Sequence, residues 1–285
     1  MTGVQAPCVP ARQAVLAVAD RLAPAGVASP RGDAEQLVAA AAGVPRGGLV
    51  LAELDAAAAA RLEAMTERRA AREPLQHILG TAAFRHLELA VGPGVFVPRP
   101  ETEQVVEVAL GRLKGLRSRP VVVDLCTGSG AIALAIAQEY PSARVTAVEA
   151  DAAALVWAQR NLAATGLPVR LVHAAAAAAL PDLDGHADLV ISNPPYLISG
   201  LALEPEVGEH DPPAALWGGG LDGLDVVREV EAAAWRLLRP GGVVVVEHGD
   251  DQGESASAVF RSRWSGVEPG SDLAGRARWV TAVRP

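Results

Sequence analysis

The sequence has only two cysteines, Cys8 and Cys126, among 285 residues. They give neither a disulfide framework nor a clustered zinc site. Its six histidines, His77, His86, His173, His186, His210 and His248, show no metal-ligand spacing, so no metal is expected. Long hydrophobic runs are also missing. No stretch of about 18 residues is free of both charge and proline, so no membrane span is expected. Met1 to Pro10 has neither the charged start nor the apolar centre of a signal peptide. Basic excess is lacking too: 25 Lys and Arg face 33 Asp and Glu, a net charge of −8. That argues against a general phosphate-binding surface, though a local basic patch stays open. What remains is a soluble, cytoplasmic protein, long enough for one large domain and a small one.

The first part of the chain, 11–73, reads as helices. Val15, Leu16, Val18, Ala19 and Leu22 follow roughly helical spacing. Ser29-Pro30 reads as an N-cap with proline at the first helical position, and Gly43 as that helix's close. A third helix is expected from about Asp55 to Arg72, before Pro74. The region reads either as a structural bundle or as a docking module for a macromolecular substrate. Residues 84–91 then alternate, Gly92-Pro93-Gly94 breaks the run, and Val95-Phe96-Val97 follows, which suggests a β-hairpin. In Pro98-Arg99-Pro100-Glu101-Thr102-Glu103 the prolines hold the chain extended. Thr102 is expected to cap a helix running to about Leu116. This polar cluster is either an ordinary cap or the lining of a site.

From Val121 the pattern changes. Strands are expected at 121–125, 144–148, 169–173, 187–192, 243–247 and 277–283, with helices at 129–140, 151–164 (capped by Asp151) and 221–238. Such alternation gives an α/β fold with a parallel, doubly wound sheet. The loop Asp124-Leu125-Cys126-Thr127-Gly128-Ser129-Gly130 follows a strand and opens a helix, where glycines let backbone approach a ligand and the helix start favours negative charge. Glu149 ends the next strand, placed to accept both ribose hydroxyl protons. Gly128-x-Gly130-x-x-Ala133 also matches a dinucleotide fingerprint. Three features favour S-adenosylmethionine over NAD: Asp124 at the strand end, the D-L-x-x-G-S-G form of the loop, and a second site at the same sheet edge. That second site is Ser192-Asn193-Pro194-Pro195-Tyr196. Prolines supply no N–H, so 193–195 offers mainly acceptors, suited to an NH2 group.

Together these motifs resemble the bacterial protein-glutamine N-methyltransferases of the HemK/PrmC type. The resemblance covers nearly the whole chain. It rests on residues 73–80, on Val97 to Glu103, on Asp124 to Ala133, on Asn193-Pro194-Pro195-Tyr196 and on Glu247-His248-Gly249. It implies a class I S-adenosylmethionine-dependent methyltransferase with a mostly parallel seven-stranded sheet. The expected organisation is a helical docking domain at 1–78, a hairpin linker at 79–100 and a methyltransferase domain at 101–285. The implied substrate is the glutamine of a Gly-Gly-Gln loop on peptide chain release factors, and the products are N5-methylglutamine and S-adenosylhomocysteine. Asp124, Cys126, Thr127, Gly128, Ser129, Gly130, Glu149 and Asn193 would hold the cofactor. Asn193, Pro194 and Tyr196 would serve catalysis, with Pro195, Arg99 and Glu101 as further substrate contacts.

The Asn193 side-chain oxygen and the Pro194 carbonyl could each accept one N–H of the amide and aim its nitrogen at the methyl, with Tyr196 over the amide plane. No strong general base is visible. Two positions depart from the family pattern. Ala175, inside the run 174–179, stands where an acidic residue near the adenine is expected, so weaker cofactor binding follows. Cys126 stands where glycine is frequent and reads as a buried apolar residue. Trp217 beside Gly218-Gly219-Gly220 suggests a mobile loop over the site. Three other readings stay open: a ribosomal-protein glutamine methyltransferase, an adenine amino-methyltransferase on nucleic acid, and a non-catalytic cofactor-binding protein. The acidic charge counts against the nucleic-acid reading. The chain is expected to act as a monomer.

Overall fold

A computed structural model describes residues 8–115 and 119–285, which divide into two compact units. The first holds β1 (Val9–Pro10), α1 (Ala11–Leu22), α2 (Pro30–Ala42), β2 (Glu53–Leu54), α3 (Ala56–Ala70) and α4 (Leu75–Leu79). β1 and β2 pair antiparallel. The helices close over Leu22, Leu37, Val38, Leu54 and Leu62. Pro30 sits in the first turn of α2, and Gly43 ends that helix with φ 68°, a left-handed position glycine takes without strain. The expected Ser29 side-chain cap is not formed. Asp55 does cap α3, accepting the Ala58 N–H at 2.7 Å. Leu203–His210, with the short helix α8 (Pro205–Gly208), groups with this unit although it lies inside 101–285. Arg69 holds it there, bridging Asp33 at 2.7 Å and Glu206 at 2.8 Å, while Arg72 reaches Glu206 at 2.6 Å and Glu204 at 2.9 Å.

The second unit opens with a hairpin, β3 (Thr81–Phe84) and β4 (Leu87–Ala90), which turns at Arg85-His86 and not at Gly92-Pro93-Gly94 as expected. Arg85 adopts φ 51°, and its guanidinium is held by Glu139 at 2.6 Å and Glu107 at 2.8 Å. Those ion pairs fix the turn there. Gly92 serves another purpose: a Cβ at Gly92 would lie 2.7 Å from the Trp157 ring. Val95 and Val97 are buried beside that ring in a small core with Val91 and Ala154.

α5 (Pro100–Leu113) follows; its expected end near Leu116 lies outside the described residues. Then come β5 (Val121–Leu125), α6 (Ala131–Glu139), β6 (Arg144–Glu149), α7 (Ala152–Thr165), β7 (Val169–His173) and β8 (Ala187–Ser192). α9 (Pro213–Leu216), α10 (Asp225–Leu237), β9 (Leu238–Glu247), α11 (Gly253–Phe260), β10 (Ser265–Ser271) and β11 (Ala277–Val283) complete the chain. Seven strands form one sheet in the order β10-β11-β9-β8-β5-β6-β7. β7, β6, β5, β8 and β9 run parallel, and β11 is antiparallel to both its neighbours. β10 was not legible: its Pro269 and Gly270 break any alternation, as an edge strand allows. Helix α10 starts at Asp225, four residues later than expected, because Gly219, Gly220 and Gly223 all take positive φ.

The central strands are apolar on both faces, as a parallel sheet between helices requires. Val122, Leu189, Ile191 and Val245 meet α5 and α6 on one side, while Val123, Val190 and Val246 meet α10 and α11 on the other. Each such burial stabilises the fold by about 1.5–3 kcal/mol. The chain runs from β5 outward to β7, then crosses back to β8. The switch point therefore falls between β5 and β8, where open α/β sheets bind ligands at the strands' carboxyl ends. Among the described residues no helix is long and apolar enough to cross a membrane.

Candidate active site

Strand register sets the site. Leu125 pairs with Val148 and Ser192, and Ser192 with Val246. Asp124, Glu149, Asn193 and Glu247 consequently sit at one sheet edge, on or just past β5, β6, β8 and β9. The Ser192 hydroxyl donates to the Leu125 carbonyl at 2.7 Å and ties the end of β8 to β5.

The glycine loop is held from inside. Glu149 accepts the Gly128 N–H at 2.7 Å through one oxygen and the N–H groups of Ala150 (2.9 Å) and Asp151 (2.8 Å) through the other. Asn161 donates to the Ser129 carbonyl and to the Ala90 carbonyl, both at 3.0 Å, and accepts the Ala90 N–H at 2.7 Å. The sequence reading missed Asn161; an amide on the apolar face of a helix was the available signal. Cys126 takes φ 59°, which explains how a glycine position accommodates it only with some strain. Burial, with Glu149 adding, pushes its thiol up to about 12, so it stays a protonated, inert thiol. A Cβ at Gly128 would meet nothing within 4 Å, so space lies open over the loop.

Asp124 is fully buried. Its Oδ2 accepts the Thr127 hydroxyl and the Ala133 N–H (3.1 Å), while Oδ1 has no partner among the described residues. Burial pushes the carboxyl up to about 7; the two bonds oppose this and the nearby Glu149 adds to it.

Asn193 is half-buried and donates its amide N–H to the Thr102 hydroxyl at 3.1 Å. Its Oδ1 is thereby left to accept. Thr102 does not cap α5 as expected. It lies inside the first turn, after Pro100, and turns inward to Asn193. The Tyr196 phenol donates to Glu247 Oε1 at 3.3 Å, so its hydroxyl is tied to the end of β9. Burial, then the Glu247 charge, push that phenol above its ordinary range. Glu247, 2% exposed, is pushed up to about 7 by burial; Thr102, Arg278 and Tyr196 oppose the shift and Glu101 adds to it. Glu247 was noticed in the sequence only as part of a motif. Arg99 pairs with buried Asp211 at 2.5 Å and lies 4.8 Å over the Phe96 ring, which commits its charge.

The segment after Tyr196 is tied rather than loose. Leu197 N–H donates to the Leu216 carbonyl at 2.8 Å, and Gly218 N–H to the Leu197 carbonyl at 3.0 Å. Gln252 donates to the Tyr196 and Asp222 carbonyls, both at 2.8 Å. A Cβ at Gly218 would lie 1.8 Å from the Gly223 carbonyl oxygen and 2.8 Å from that of Pro195. Gly218, beside Trp217, thus serves close backbone approach in a tied segment, where a mobile loop was expected.

Two family models match the chain: the PrmC N-terminal domain over residues 13–80 and the methyltransferase small domain over 87–210. A release factor glutamine methyltransferase of Streptomyces coelicolor is 53% identical over 267 residues, covering 92% of this chain and 94% of the relative. One from Mycolicibacterium smegmatis is 49% identical and covers 96% and 97%. A Streptomyces pristinaespiralis 4-amino-L-phenylalanine/4-methylamino-L-phenylalanine methyltransferase is 47% identical over 205 residues, 70% of this chain and 69% of the relative. Among solved structures, a T. thermophilus 16S rRNA N2 methyltransferase in complex with AdoMet and guanosine superposes with TM-score 0.55 at 23% identity, over 72% of this chain and 50% of that one. A Pyrococcus furiosus methyltransferase gives 0.51 at 19%, over 79% and 97%. These two show the fold, that of class I S-adenosylmethionine-dependent methyltransferases. The sequence relatives, matched over nearly their full length, show more: the chain belongs to the release factor glutamine methyltransferase family of PrmC type.

Proposed function

We propose that this chain transfers the methyl group of S-adenosylmethionine to the side-chain nitrogen of the glutamine in the Gly-Gly-Gln loop of a peptide chain release factor. The observation that carries the reading is the hydrogen bond of Asn193: Thr102 takes its N–H, which leaves its oxygen to accept, next in the chain to Pro194, which has no N–H to offer. Two acceptors at one place match the two hydrogens of a primary amide. The names of the full-length relatives supply the release factor as substrate.

The residues at the sheet edge fit the cofactor. Asp124 has a buried oxygen without a partner among the described residues, suited to a cationic amino group, and open space lies over Gly128. Glu149 already orders that loop and stands where ribose hydroxyls would be met. When bound, S-adenosylmethionine supplies an electrophilic methyl on a sulfonium. Asn193 Oδ1 and the Pro194 carbonyl accept the amide hydrogens and orient the nitrogen for in-line attack. They also stabilise the positive charge that grows on nitrogen as the C–N bond forms and the C–S electrons leave with sulfur. The extra proton on nitrogen is then lost to water, so no strong base is required. Tyr196 closes the side of the pocket, held by Glu247. We further propose that the helical unit docks the protein substrate, and that Pro195 and Glu101 flank the incoming loop.

The Streptomyces pristinaespiralis relative favours a second reading. The aryl amine in its name is, like an amide, a planar NH2 conjugated to a π system, and the same two acceptors would hold it. Side-by-side kcat/KM values on a purified release factor, a ribosomal protein and 4-amino-L-phenylalanine decide between them. A preference for the release factor of about 10² or more is expected, the scale of one lost set of positioning contacts. Equal or greater activity on another acceptor would replace the substrate.

A further inference from the structure

The segment that carries Asn193 cannot be held along its length. Pro194 and Pro195 have no N–H, so neither is tied to a neighbouring stretch of chain through one. The direction of the Pro194 carbonyl is therefore set by what grips the two ends. At the front, the Ser192 hydroxyl donates to the Leu125 carbonyl at 2.7 Å and the Asn193 amide to the Thr102 hydroxyl at 3.1 Å. At the back stands Gln252, the residue before α11, only 4% exposed. Its Nε2 donates to the Tyr196 and Asp222 carbonyls, both at 2.8 Å, and its Oε1 accepts the Gly249 N–H at 2.8 Å. One buried amide thus joins three connections: the one after β8, the one before α10 and the one after β9.

We propose that Gln252 is a positioning residue for methyl transfer, which fixes the Tyr196 end of the acceptor segment and through it the direction of the Pro194 carbonyl. The proposal rests on the acceptor role given to Asn193 and Pro194 above. A primary amide suits the place because it offers two hydrogens on one atom and an acceptor on the other. Turned round, it would set its oxygen against two carbonyls, so only one orientation makes all three bonds. Gln252 is itself anchored. Its backbone N–H donates to the Gly249 carbonyl at 3.0 Å, and its carbonyl accepts the Ala256 N–H at 2.8 Å in the first turn of α11. The loop before α10 confines the Tyr196 carbonyl from another side: a Cβ at Gly223 would lie 2.4 Å from its oxygen. With that carbonyl held and each proline fixed at φ of about −65°, little freedom is left to the chain between Asn193 and Tyr196. Gln252 touches no reacting atom; it acts through the backbone that carries the acceptors.

The test measures kcat, KM for the release factor and calorimetric affinity for S-adenosylmethionine in wild type, Gln252→Met, Asn193→Ala and the double variant. Methionine keeps the side chain's length and removes all three bonds. Gln252→Met is expected to lower kcat about tenfold or more, within the range for a slightly misplaced reacting group, with KM and cofactor affinity changed by no more than about twofold. On the Asn193→Ala background the same change should cost at least about threefold less, because a single remaining acceptor no longer fixes the amide. A mere loss of folded enzyme would lower both backgrounds equally. If Gln252→Met does not fold, Gly223→Ala, which pushes on the same Tyr196 carbonyl, goes through the same cycle in its place. Wild-type kcat in the variant, a loss that falls on cofactor affinity, equal losses on both backgrounds, or failure of both variants to fold each overturns the proposal while leaving the function intact. Unchanged turnover in Asn193→Ala refutes the acceptor role beneath this inference, and absence of transfer by wild type with the cofactor bound refutes the function itself.

Discussion

Arg69 in the helical unit is 6% exposed and Glu247 in the methyltransferase unit 2%, yet their surroundings treat them differently. Arg69 meets Asp33, Glu206 and the Glu73 carbonyl, so its donors are spent within the protein. Glu247 keeps one buried oxygen without a hydrogen bond among the described residues and has a like charge, Glu101, nearby. Asp124, one strand away from β8, repeats the pattern. Buried charge with its partners in place is architecture. Buried charge short of partners, gathered at one sheet edge, marks a place that expects a ligand.

The largest effect expected from breaking this contrast is at the edge. Asn193→Ala should lower turnover by about 10²–10³, the scale for removing one preorganised electrostatic contact, with cofactor affinity nearly unchanged. Unchanged turnover would refute the acceptor role. In the helical unit the cost should fall on stability. Arg69→Ala leaves Asp33 without its ion-pair partner while Glu206 keeps Arg72, at about 3–5 kcal/mol, measurable by urea unfolding. A loss near zero would mean that the ion pairs are ornamental.

The fold was legible wherever one element's own residues decide it. The apolar strands 121–125 and 187–192, the Asp151 cap and Gly43 all follow from local chemistry. What failed depended on partners distant in sequence. The hairpin turn is set by Glu107 and Glu139, not by its glycines. Thr102 has a capping residue's chemistry but is claimed by Asn193, 91 residues away. Glu247 and Asn161 gain their roles only once strands and helices bring them to the glycine loop and to Tyr196.

Two smaller effects sharpen the contrast. Ala175 is exposed at the end of β7, so a carboxylate can be added there without burial. Ala175→Asp should tighten S-adenosylmethionine binding by about 2- to 10-fold, the range for one added hydrogen bond, by calorimetry. No change would show that this position does not reach the adenine. The smallest effect concerns protons. Asp124, raised to about 7 by burial, is partly protonated at neutrality in the free protein. A cationic amino group beside it favours the ionised form, so cofactor binding near pH 7 should release protons, seen as a buffer-dependent binding enthalpy. Buffer independence would contradict the pairing. The stability signs also differ. Raised Asp124 and Glu247 make the fold lose stability as pH rises from the ordinary carboxylate range toward about 7. In Glu206 burial is outweighed by Arg72 and Arg69, which hold it down at about 2; its contribution is present above the ordinary range and lost as pH falls toward that value.

The most direct test of the account is transfer of labelled methyl from S-adenosylmethionine to a purified release factor, beside the same factor with its Gly-Gly-Gln glutamine changed to alanine. The account predicts label on the first and none on the second. Equal label on both, or none on either with the cofactor bound, would contradict it.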